Sequence, residues 1–120
     1  MKRKEILRLN NDKMRFKLVK SIYNAQIVLK EIKEGGNIWI VEKEYDAKWM
    51  NESRYGLVAT VINNKNIKFI ENYAKYFKNA KVIIVYPEDA RKISEWIEIE
   101  LEQYANIVMN VSLPNREIEL

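Results

Sequence analysis

The chain has 120 residues, 48% hydrophobic and 32% charged with a formal net charge of +4, which is ordinary globular composition and enough chain for one core. It contains no cysteine and no histidine, which excludes disulfides, thiolate metal sites, thiol catalysis and histidine-based triads. Any catalysis would have to run on carboxylates, Lys, Tyr, Ser or a hard metal ion held by oxygen.

The basic start, Met1 to Arg8, lacks the apolar run of a signal peptide, and no stretch approaches the roughly 20 apolar residues that cross a bilayer. The expectation is a cytoplasmic protein with no membrane partner and a single domain over 1–120, of which 1–11 form a basic N-terminal extension. Charge is uneven: residues 1–20 carry eight Lys/Arg against two acids, residues 65–81 five Lys against Glu71, and residues 88–102 six acids against Arg91 and Lys92. The two basic stretches suit a phosphate backbone or a solvated helix face.

In chain order, a helix is expected from Asp12 to Glu34, with Asn11 or Asp12 as cap and Leu18, Ile22, Ala25, Leu29 and Ile32 as its apolar stripe. Gly35-Gly36 should stop it. Asn37 to Val41 reads as a strand covered on both faces, and a short helix over Tyr45–Met50 follows. Tyr55 to Ile62 reads as a second strand ended by Asn63-Asn64, and Asn66–Phe77 as a helix. Lys81–Tyr86 is the most strand-like segment. Pro87 is placed to open a helix running to Tyr104, with Glu88 and Asp89 in its first turn. Asn106 to Leu113 reads as a fourth strand ended by Pro114. Strands alternating with helices predict a three-layer α/β/α fold with a mainly parallel four-stranded sheet, Rossmann-like in its wiring. Ligands bind such sheets beyond the carboxyl ends of the strands. The segments that emerge there are 42–46, 63–64, 86–89 and 114–116.

These segments resemble the toprim family. Val41-Glu42-Lys43-Glu44-Tyr45-Asp46-Ala47 is similar to the family's first strand end, a glutamate followed by glycine and, two residues later, Asp-Ala. Val58-Ala59-Thr60-Val61-Ile62-Asn63 is similar to its second strand, Tyr86-Pro87-Glu88-Asp89-Ala90-Arg91-Lys92 to its Asp-x-Asp strand end and the helix after it, and Leu113-Pro114 to its fourth strand end. The sequence departs from the pattern at Lys43, at Ile62 or Asn63, and at Tyr86, which stands where the family has its first aspartate.

The resemblance implies Glu42 as general acid or base, Glu88 and Asp89 as ligands of Mg2+, and Lys43, Arg91 and Lys92 as nucleic-acid contacts. Asp46, Tyr86 and Asn63 would complete the surroundings, with Asp46 also able to cap the short helix. Three functions follow as expectations: a nucleic-acid-binding protein, for DNA or RNA, with reduced or lost phosphoryl transfer; a magnesium-dependent nuclease with an altered ligand set; or a non-catalytic module that keeps the fold for a protein partner. Trp39, Trp49, Trp96 and the tyrosines read as core and rim packing.

Overall fold

The computed structural model describes residues 24–62 and 74–114. They form helix α1 (Ala25–Lys33), strand β1 (Asn37–Val41), helix α2 (Glu44–Glu52), strand β2 (Ala59–Val61), a 3-10 turn (Lys75–Phe77), strand β3 (Lys81–Pro87), a second 3-10 turn (Glu88–Ala90), helix α3 (Arg91–Glu102) and strand β4 (Ile107–Leu113). The expected helix start near Asp12, most of the expected 66–77 helix, the 63–64 turn and the basic stretch 1–20 lie outside the described residues.

Helix α1 ends where the sequence predicts. Gly35 adopts φ 81, and the N–H groups of Gly35 and Gly36 donate to the carbonyls of Ile32 (3.1 Å) and Glu31 (3.0 Å). A left-handed glycine thus satisfies carbonyls that the helix end would leave open. At the other junction the structure corrects the expectation. Pro87 is the last residue of β3, not the first of a helix, and Glu88 and Asp89 sit in the 3-10 turn before α3. Proline tolerates a strand end as readily as a helix start, since its missing N–H is harmless at both. The second strand is shorter than predicted, Ala59–Val61, because residues 56–58 approach it as irregular chain.

The sheet is parallel throughout, in the order β2-β1-β3-β4. The β1–α2–β2 crossover and the β3–α3–β4 crossover run in opposite directions from the centre. Right-handed connections therefore put α2 on one face and α3 on the other. The larger apolar cluster joins α1 and α3 to Ile38, Ile40, Val82, Ile84 and Tyr86 on the first face. The smaller one packs Ala47 of α2 on Val41, Ala59 and Val61 on the second face. Helices on both faces make three layers, but on the second face α2 reaches only over β1 and β2. The alternate residues of β4, Ile107, Met109, Val111 and Leu113, stay 40–54% exposed there. This differs from the strand buried on both faces that parallel sheets favour.

Polar contacts fix α3 to β4 on the opposite face. Asn110 Nδ2 donates to Glu98 Oε1 at 2.9 Å and approaches the buried Ser94 hydroxyl at 3.4 Å, while that hydroxyl donates to the Arg91 carbonyl at 2.9 Å. No helix among the described residues is long and apolar enough to cross a membrane.

Candidate functional site

Strand order reverses between β1 and β3, and their parallel register sets Val41 beside Val85. One residue further on, Glu42 and Tyr86 come side by side at the carboxyl ends. This is the switch point at which an open α/β sheet leaves a crevice, because the two crossovers depart to opposite faces. A groove of about 620 Å3 opens there. Val41, Val85, Pro87 and Leu113 are among its apolar residues, and Tyr45, Asp46, Trp49 and Met50 of α2 line it as a wall. Glu42 and Lys43 lie between the strand end and the helix.

The α2 wall is unusual in what it exposes. Tyr45 is 66% and Trp49 68% exposed, although the groove and the sheet lie beside them. One helical turn separates the two, so their rings share a side of α2. Lys43 Nζ stands 5.7 Å from the Tyr45 ring centroid, within reach of the attraction between a cation and an aromatic face. Lys43, with extended backbone (φ -118, ψ 140), occupies the N-cap position of α2 and its carbonyl accepts from the Asp46 and Ala47 N–H groups. Asp46 is therefore a first-turn residue, where its charge suits the helix dipole, and does not cap the helix as expected.

Tyr86 is 4% exposed, and its phenol is pushed up to about 12, first by burial and then by the Glu42 carboxylate nearby. It is held as a neutral phenol, a poor ligand for a hard cation. Glu88 and Asp89 do not line the Glu42 groove; they line a separate hollow with Arg91, Lys92, Ile93 and Glu95. Among the described residues no three carboxylates come together as a group able to hold a metal ion. Magnesium is usually held by one or two carboxylates together with phosphate oxygens and water; here Glu42 and Asp46 share the groove, while Glu88 and Asp89 line the separate hollow. Arg91 Nε is engaged with Glu95 Oε1 at 3.0 Å, one turn along α3. Lys92 is exposed at the separate hollow. Asn63 lies outside the described residues.

Of the residues singled out from sequence, the structure brings Glu42, Lys43 and Asp46 to one groove with Tyr86 beside Glu42, and sets Glu88, Asp89, Arg91 and Lys92 apart. Sequence reasoning assigned Trp49 and Tyr45 to packing. The available signal was their spacing of four on a short helix otherwise rich in Glu, Asp, Lys and Asn, which places them on a side that a polar helix has no reason to bury. No family model matches the chain, and neither the curated proteins nor the solved structures contain a match to it.

Proposed function

We propose that this is a toprim-like nucleic-acid-binding domain that takes single-stranded DNA or RNA at the switch-point groove and does not cut it by a metal-dependent route. One observation carries this reading: the exposed Tyr45 and Trp49 rings stand one turn apart on the groove wall beside Lys43. Bases unstacked from a helix find aromatic faces to stack on, and every base has such a face, so the contact is tolerant of sequence. Lys43 and the net charge of +4 supply attraction for phosphates. The separation of Glu42 from Glu88 and Asp89 supports loss of cleavage over a working magnesium nuclease, since metal-assisted phosphoryl transfer needs its carboxylates converged.

The test is fluorescence anisotropy of a labelled single-stranded oligonucleotide titrated with the full chain. Affinity should fall as salt rises, and Trp49→Ala should weaken it about 5- to 100-fold, the equivalent of one lost stacking contact. Trp96→Ala, on α3 away from the groove, serves as the control and should leave affinity unchanged. Equal binding by the wild type and Trp49→Ala would remove the groove from the reading, and absence of salt-dependent binding would remove nucleic acid altogether.

A further inference from the structure

Strand β4 is an edge of the sheet, and among the described residues it pairs only with β3. From Ala105 to Pro114 no side chain is charged, in a chain that is 32% charged. Edge strands are ordinarily blunted by lysine, proline, a bulge or a covering segment, since their free N–H and C=O groups template further pairing. Strand β4 carries no lysine, proline or bulge along its seven residues, and Pro114 stands only after its end.

The hydrogen-bond phase identifies the free groups. The Trp39 N–H donates to the Val58 carbonyl, so Trp39 faces β2 and Ile38 faces β3. Carried through the register Ile38↔Val82↔Val108, the alternation leaves the N–H and C=O groups of Val108, Asn110 and Ser112 pointing to the outer edge. The side chains of Ile107, Met109, Val111 and Leu113 line one face, 40–54% exposed.

We infer that β4 is a homodimer interface: it pairs antiparallel with β4 of a second copy of this chain across a twofold axis at Asn110, extending the sheet to eight strands. The sequence Ile-Val-Met-Asn-Val-Ser-Leu is self-complementary about its centre. The axis sets Asn110 opposite its counterpart in a hydrogen-bonded pair and Val108 opposite Ser112 in two more. It sets Ile107 opposite Leu113 and Met109 opposite Val111 as non-hydrogen-bonded pairs, whose side chains approach most closely in an antiparallel ladder. Charge selects the occupant. An isologous pairing of an uncharged strand brings no like charges together, whereas almost any other exposed segment of a chain this charged would bring an unpaired charge against apolar side chains. A strand-sized interface predicts a weak dimer, with a dissociation constant of about 1–100 μM.

The test is sedimentation equilibrium of the full chain, without nucleic acid, over a concentration series. The wild type should dimerise. Met109→Lys and Val111→Glu, each on an exposed face and checked for an unchanged thermal melt, should each raise the dissociation constant at least ~100-fold. An equimolar mixture of the two variants should dimerise again, because the axis sets the introduced lysine opposite the introduced glutamate across the strands. A wild type that is monomeric at about 200 μM would overturn the proposal. If both substitutions then lowered its stability, a segment of the same chain covers β4; if neither did, the edge awaits a different partner. A dimer indifferent to both substitutions, or a mixture that stays monomeric, would also overturn it.

Discussion

The two edges of the sheet are finished in different ways. At β2 the outward N–H and C=O of Ala59 are both taken by the side-chain amide of Asn51: the N–H donates to Oδ1 at 2.7 Å and Nδ2 donates to the carbonyl at 3.0 Å. A single residue from the last turn of α2 imitates a neighbouring strand, and β2 is only three residues long and buried throughout. At β4 seven uncharged residues run along the edge with four apolar side chains open on one face. The contrast follows from the crossovers. Helix α2 returns past the β2 edge and can both cover it and clamp it, whereas α3 backs β4 on the other face and its polar contacts end at the Asn110 side chain. An edge closed within its own crossover needs nothing else; an edge left flat and neutral is suited to a copy of itself.

The largest stability effect is expected between the edges, and it calibrates both. Tyr86 lies on central β3, where burial and Glu42 hold its phenol proton to about pH 12 against 10.0 for an ordinary tyrosine. The unfolded chain loses that proton earlier, so the stability this group contributes is complete below pH 10 and is lost as pH rises toward 12. Wild type should lose about 2–3 kcal/mol more than Tyr86→Phe over that window in urea melts. A parallel loss in both proteins would mean that other groups govern the alkaline transition.

A matched pair of substitutions then sets one edge against the other. Val61→Ala in buried β2 should cost about 2 kcal/mol through lost burial and an unfilled cavity. Val111→Ala in β4 should cost the dilute monomer under about 0.5 kcal/mol, because the same side chain is already half in water. Equal costs would show that β4 is covered in the monomer. Asn51→Ala should cost about 1–2 kcal/mol, the worth of two hydrogen bonds at an edge that water can reach after the amide is gone. It should also speed hydrogen exchange at the Ala59 amide, and an unchanged exchange rate would refute the clamp. The smallest effect is at Arg91, whose exposed ion pair with Glu95 one turn away is worth about 0.3–0.5 kcal/mol. Arg91→Ala should therefore barely move the melting temperature.

The strand core of β1 and β3 was legible in the sequence because continuous β-branched runs have few other ways to be buried. The Gly35-Gly36 stop was legible because few residues other than glycine adopt the φ 81 it requires. The Pro87 junction was not, since proline fits a strand end and a helix start equally well. At the site, a glutamate and a lysine ending β1 were visible, and so was their neighbour across the sheet, Tyr86. What could not be read was that Glu88 and Asp89 turn away from that groove, since the course of the 3-10 turn depends on how α3 settles against β4.

By itself the sequence determined that 37–41, 59–61, 81–86 and 107–113 become strands, that helices occupy 25–33, 44–52 and 91–102, and that the sheet is mainly parallel: local periodicity and the length of the connections decide those things. Tertiary structure alone decided that α2 covers half of one sheet face, that the amide of Asn51 meets the backbone of Ala59 eight residues away, and that a groove opens beside the exposed side of α2. Those outcomes depend on which elements come to lie beside one another in space, and no window of neighbouring residues carries that information.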